Sequence, residues 1–201
     1  MGMDGGDPPL DSAAQSAVAR ARAGDERAFR GLVEAHARPL FQLCFRITRD
    51  AALAEDAVQE AFYKAWRGLA GYDGRAAFST WLHRIAVNAA LEQLRRDARH
   101  RQDANATLTA ADKDEGADVL AALPDDAPDP EARASGVQIG LRIDRQMQRL
   151  SPSERAAFVL RHWEGEPLER IAETLGMNTG QCKQAIFRAV RKLRDALETL
   201  R

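Results

Sequence analysis

Three groups of side chains in this sequence could do chemistry on a partner, and none of them is a catalytic constellation. The first is a row near the C-terminus, Lys183, Gln184, Phe187, Arg188 and Arg191, in which 183, 187, 191 and 184, 188 stand i, i+4 apart. On a helix such a row offers cations to phosphates and donors to base edges in a major groove, where Arg pairs bidentately with guanine and Gln with adenine. Basic residues close to a helix C-terminus also complement the helix dipole, so the row alone leaves both readings open. The second group runs from Phe78, Thr80, Trp81, Arg84 and Asn88 into Arg95, Arg96, Arg99 and Arg101. Aromatic faces stack on unpaired bases while arginines follow the phosphates, which suits a single strand; the alternative places Phe78 and Trp81 in a hydrophobic core. The third is acidic: Glu55, Asp56, Gln59 and Glu60 fall opposite the apolar stripe of their helix, where a basic protein surface could read them.

Enzymatic chemistry finds no foothold. His36, His83, His100 and His162 are scattered, there is no metal-ligand spacing or glycine-rich phosphate loop, and Cys44 lies far from Cys182. No catalytic residue, metal or cofactor is therefore expected. Charge is more telling than its total of 29 Lys+Arg against 30 Asp+Glu. Residues 75–101 carry six arginines and two acids, and residues 183–201 six basic residues and two acids. Between them, residues 102–131 hold nine acids and one lysine, so a near-neutral chain has two cationic blocks joined by an anionic strap. No apolar run approaches the roughly 18 residues of a membrane span, and the first ten residues have no apolar centre. Membrane insertion and export are not indicated, and a cytoplasmic location is expected.

The elements that must position these groups are helical. With 201 residues, 45% hydrophobic but only 6% aromatic, the chain suits two small alanine-rich helical domains. After a flexible tail (1–11), Asp25 is a candidate N-cap for a helix carrying Phe29, Leu32, Val33, His36, Leu40, Phe41, Cys44 and Ile47, with a bend at Pro39. Asp50 caps the next, where Ala54, Val58, Ala61, Phe62, Ala65, Trp66 and Leu69 recur at helical spacing. A loop at 71–74 follows, and Ser79 is placed as the cap of a third helix through Trp81, Leu82, Ile85, Ala89 and Leu94. The first domain is bounded at 12–101, a flexible acidic linker at 102–136 with Pro124, Pro128 and Pro130, and the second domain at 137–201. In the second, Ile139, Ile143, Met147 and Leu150 precede a helix start at 151–154. A short helix, 168–175, is joined through Gly176-Met177-Asn178 to a longer one from about Thr179, the pattern of a helix-turn-helix. Cys182, Ile186, Ala189, Val190 and Leu193 would line its buried face.

The runs 54–66 (AEDAVQEAFYKAW), 78–82 (FSTWL) and 84–88 (RIAVN) resemble region two of extracytoplasmic-function sigma factors of the sigma-70 family. Leu150 to Arg155, His162 to Gly165 and Ile171 to Gly176 resemble region four of the same family, and the two matches cover roughly 140 residues in the right order. The resemblance implies an all-α, non-enzymatic subunit that binds bacterial core RNA polymerase through its β′ and β subunits and recognises promoter DNA, commonly under an anti-sigma factor. Carried over residue by residue, it places Asp56, Gln59 and Glu60 on the β′ coiled coil. Phe78, Thr80, Trp81, Arg84, Asn88, Arg95 and Arg96 fall on the melted minus-ten element, where a flipped base must regain its stacking energy in a pocket. Thr179, Gln181, Lys183, Gln184, Phe187, Arg188 and Arg191 fall on the duplex minus-thirty-five element. The chain departs from the family where 180–185 reads GQCKQA, and where Arg49-Asp50 replaces a Gly-Asp turn, a change expected to keep the cap but lose the positive-φ residue. A stand-alone helix-turn-helix regulator is the rival reading; it accounts only for the C-terminal half and predicts tight binding to a palindrome without polymerase.

Overall fold

The computed structural model describes residues 10–107 and 145–198, and every regular element among them is helical. Expectations for residues 1–9, for Ile139 and Ile143 and for nearly all of the acidic linker lie outside the described residues. The N-terminal unit comprises α1 (Leu10–Arg22), α2 (Glu26–Thr48), α3 (Ala51–Gly68), a 3-10 turn (Leu69–Gly71) and α4 (Phe78–Thr107). The C-terminal unit adds a helical turn at 145–148, then α5 (Pro152–His162), α6 (Leu168–Leu175) and α7 (Thr179–Glu198).

Local chemistry sets the helix starts. Asp25 accepts a hydrogen bond from the Ala28 amide at 3.0 Å, and Asp50 one from Leu53 at 2.9 Å, so each satisfies a donor the first helical turn leaves open. Two expectations change. α4 begins at Phe78, with the Trp81 amide bonded to the Ala77 carbonyl, so Ser79 lies inside the helix instead of capping it. α4 also runs to Thr107, past the expected boundary at 101, since residues 102–107 contain neither proline nor glycine.

Arg49 corrects the expected turn. It closes α2 at φ 59°, its amide bonded to the Phe45 carbonyl at 2.8 Å, so an arginine adopts the left-handed conformation that glycine usually supplies. Its guanidinium lies 5.1 Å from the Phe45 ring centre, a contact that offsets part of the backbone strain.

Packing follows side-chain size. Ala54, Ala57, Ala61 and Ala65 make a fully buried stripe on α3, and Ala86, Ala89 and Ala90 do the same on α4, so small residues let these backbones approach closely. Leu40, Leu43, Ile47, Leu69 and Leu82 fill the remaining volume, each burial contributing about 1.5–3 kcal/mol. In the C-terminal unit, Met147, Leu150, Val159, Leu160 and Ile171 meet Cys182, Ala185 and Ala189 of α7. The buried face of α7 therefore includes Ala185, whereas Val190 is 37% exposed, a shift from the expected stripe. Gly176, at φ 64°, makes the tight turn between α6 and α7 that a Cβ would strain.

The two units touch. α5 packs on α2, and α6 on α4. Arg155, buried, donates to the Thr48 carbonyl at 3.4 Å and so sits at the negative end of the α2 dipole. Burial, helped by the charge of Arg49, lowers its pKa to about 10, which leaves it protonated at neutral pH.

Candidate nucleic-acid interface

α7 brings the C-terminal row together on one outward face. Lys183, Gln184, Phe187, Arg188 and Arg191 are all exposed, Phe187 at 66%, while Cys182 and Ala189 point inward. Thr179 is exposed at the helix start. Gln181 has a local job: its amide donates to Asn178 Oδ1 at 2.8 Å and its Oε1 accepts from the Asn178 amide at 3.0 Å. This reciprocal pair is a capping box, and the Asn-x-x-Gln spacing was its readable signal. Arg191 stands 3.7 Å from Asp195, a loose exposed pair.

Arg188 is held. Its Nε donates to Glu154 Oε1 at 2.9 Å, and Lys192 Nζ reaches Oε2 of the same carboxylate at 2.7 Å. The Glu154 side chain is 6% exposed and also accepts from the Ser151 amide, completing a second capping box at the start of α5. Burial alone would raise its pKa; hydrogen bonds from Lys192, the Ser151 backbone and Arg188 outweigh that and hold it down at about 2. Ser151-x-x-Glu154 announces the cap in the sequence, whereas the pairing of Glu154 with Arg188 and Lys192 has no sequence signal.

The start of α4 is an aromatic nest. Phe78 is only 7% exposed and packs against His36, Tyr72 and Trp81, with ring centres 5.6, 6.0 and 5.7 Å away. It belongs to the core and supports Trp81, which is half-buried and also meets Tyr72 at 5.1 Å. Tyr72, which the sequence places only within a loop, pins that loop by donating to the Ala76 carbonyl. Burial, with the neighbouring charge of His83, lowers the pKa of His36 and favours its neutral form. Asn88 is exposed, and Arg95, Arg96 and Arg99 surround Glu92 at 3.3–3.6 Å on the solvent side.

The outer face of α4 does not stand free. Arg84 pairs with Glu173 of α6 at 2.6 Å, and a cleft between the units is lined by Thr80, Trp81, Arg84 and Val87 on one wall and Ile171 and Glu173 on the other. A second pair, Arg46 with Glu164 at 3.1 Å, lies beside the Trp163 ring, whose centre is 6.0 Å from the guanidinium. On α3, Glu55, Asp56 and Gln59 are exposed and Glu60 is half-buried and paired with Lys64 at 3.1 Å, so the acidic face stands apart from this cleft.

No helix among the described residues is long and apolar enough to cross a membrane. Residues 32–100 match the family Sigma-70 region 2, and residues 140–193 match Sigma-70, region 4. The chain is 36% identical over 186 residues to the RNA polymerase sigma-H factor of Pseudomonas aeruginosa, covering 92% of this chain and 94% of that one. It is 33% identical over 187 residues to the ECF RNA polymerase sigma-E factor of Haemophilus influenzae, covering 92% and 96%. To the ECF sigma factor SigW of Bacillus subtilis the identity is 29% over 184 residues, covering 91% and 96%. The fold resembles the sigma factor RpoE of Bartonella quintana, solved with the anti-sigma factor NepR (TM-score 0.60, 21% identity, covering 86% and 98%). It also resembles CnrH, solved with the cytosolic domain of CnrY (TM-score 0.59, 23% identity, covering 93% and 98%). Both regions being present in order, with relatives above 30% identity spanning nine-tenths of its length, the chain belongs to the sigma-70 family of RNA polymerase sigma factors, in the extracytoplasmic-function branch.

Proposed function

We propose that the chain joins bacterial core RNA polymerase in the cytoplasm, brings it to promoters carrying matched minus-thirty-five and minus-ten elements, and promotes melting at the latter. It contributes no catalytic group; bond formation belongs to the core enzyme. The observation that carries this is the pair of cationic helix faces, α4 and α7, on two family-matched units, with the acidic face of α3 apart from both. In this reading Asp56, Gln59 and Glu60 dock the β′ coiled coil, with further contacts to β. Thr80, Trp81, Arg84 and Asn88 hold the melted strand over the support of Phe78, and Arg95 and Arg96 follow its phosphates. Lys183, Gln184, Phe187, Arg188 and Arg191 enter the duplex groove, while Thr179 and Gln181 fix the helix start beside the backbone.

Distance then requires the units to part. The two elements lie roughly 25 base pairs apart, about 85 Å of duplex at 3.4 Å per step. Units joined by a 2.6 Å ion pair cannot serve both. The 37 residues between Thr107 and Arg145 would reach on the order of 120 Å fully extended, which is enough. An anti-sigma partner, of the kind solved with the relative from Bartonella quintana, would act by keeping the two units from reaching both elements.

The test is permanganate footprinting with run-off transcription on DNA from upstream of the chain's own gene, with sigma-free core polymerase and with the protein alone as control. Core-dependent melting and a discrete transcript are expected. Failure to bind core, or tight binding to a palindrome without it, would replace this reading with a stand-alone helix-turn-helix regulator. Replacing Asp56 and Glu60 with Ala is the residue-level arm: core affinity falls while both units stay folded, and an unchanged affinity removes that face from the interface.

A further inference from the structure

Glu154 does more than start a helix. A capping box needs one carboxylate oxygen to receive the N-cap amide, and Glu154 Oε2 does this for Ser151. The same buried group also takes Arg188 Nε on Oε1 and Lys192 Nζ on Oε2, both from the exposed face of α7. An arginine has five donors in a rigid plane. Binding through Nε restrains that plane and leaves the outer hydrogens of the two terminal nitrogens, the pair that matches O6 and N7 of guanine, free of the carboxylate. Arg188 remains 53% exposed, so its side chain is open to a partner while its Nε is held.

We propose that Glu154 is a positioning residue for promoter specificity: it buttresses Arg188 so that the guanidinium presents a pre-oriented fork to a guanine in the minus-thirty-five duplex, with Lys192 anchored beside it. This rests on the assignment of α7 to that element. An unbuttressed arginine on a helix surface samples many rotamers and reaches the nearest phosphate, which carries no sequence information. Holding it removes that freedom before DNA arrives, so the base contact loses less entropy on forming. The family resemblance assigned Arg188 to DNA; its engagement with Glu154 states how it reads.

Glu154→Gln separates the two roles of the side chain, since glutamine at this position still completes a capping box but offers no charge to the two cations. Holoenzyme assembled from the full chain and sigma-free core polymerase is first used to select promoters from a randomised duplex pool. Binding is then measured for each base at each upstream position across a salt series. Arg188→Ala is expected to lose discrimination at one guanine by about 5-fold or more. Glu154→Gln should lose discrimination at that same position while mismatched DNA binds as well or better, with a steeper salt dependence as the released cations find phosphates. The double variant should discriminate no worse than Arg188→Ala alone, and Ser151→Ala, which weakens only the cap, should leave base preference intact.

If Glu154→Gln keeps the wild-type preference while Arg188→Ala loses it, the buttress is overturned and the duplex assignment stands. If Arg188→Ala alters no preference at any position, the assignment of Arg188 falls and takes the buttress with it. A measurement on the unaltered chain covers the case in which Glu154→Gln does not fold. The Arg188 Nε–H should exchange with solvent more slowly than that of an exposed arginine at neutral pH, and exchange as fast as the exposed ones would contradict the proposal.

Discussion

The two helices proposed to face DNA satisfy their arginines in opposite ways. Arg84 on α4 is paired with Glu173, a carboxylate from the other unit and exposed, whereas Arg188 on α7 is paired with Glu154, a buried carboxylate of its own unit. Separation of the units releases Arg84 and leaves Arg188 as it is. One face is therefore covered by the arrangement of the units, and the other is open, with its arginine held by its own unit. A single-stranded target needs a surface that becomes available only when DNA is ready to melt, while a duplex target is present from the first encounter.

Covering one face by arrangement alone requires two units that are stable independently. Leu82→Ala empties a fully buried site in the N-terminal unit and should cost about 2–5 kcal/mol. Calorimetry is expected to show one transition moving down while that of the C-terminal unit stays; a common shift would mean that the two fold as one block.

Acid acts on the C-terminal unit through one buried carboxylate. Glu154 has a folded pKa of about 2 against an ordinary value near 4.5, so its contribution is fully present at neutral pH and is lost as pH falls from about 4.5 through 2. The C-terminal unit should thus lose stability in that window, and Glu154→Gln should flatten the dependence when unfolding is followed by circular dichroism.

The clasp between the units is weaker. Arg84 and Glu173 are both substantially exposed, and such pairs are worth about 0–1 kcal/mol and are screened by salt. Glu173→Arg should shift the closed population by about 5-fold at most, read by energy transfer between the units. The double variant Arg84→Glu, Glu173→Arg should restore it; a double no more closed than the single would remove this pair from the clasp. The smallest effect is expected for Arg49→Gly, where relief of about 1 kcal/mol from the left-handed backbone is offset by loss of the contact with Phe45, so that the melting temperature barely moves.

What was legible in the sequence is what local chemistry determines. Asp25, Asp50 and Ser151 announce helix starts through side chains that reach only three residues, and the outward row on α7 follows from its period. Errors arose where hydrophobicity and fit diverge. The apolar pattern puts Val190 on the buried stripe of α7 and leaves Ala185 off it, yet the small side chain is the one that lets α7 sit close, and the valine stays at the rim. Phe78 and Trp81 looked alike in composition, but the nest of His36 and Tyr72 buries the first and leaves the second half open. The contacts between the units were beyond reach, since Arg84 of α4 meets Glu173 and Arg155 meets Thr48 of α2 across 89 and 107 residues with no periodic trace. Arg49 escaped because glycine is the usual signal for its conformation.

The claim that α4 is masked until the units part is tested most directly by a distance between them. Spin labels at Ala70→Cys and Glu169→Cys, both exposed positions, would be measured in the free chain and in the holoenzyme on promoter DNA, native Cys44 and Cys182 being buried. A single short distance in the free chain that lengthens by tens of ångströms in the promoter complex is the predicted result. The same short distance in a complex that initiates transcription would contradict the account.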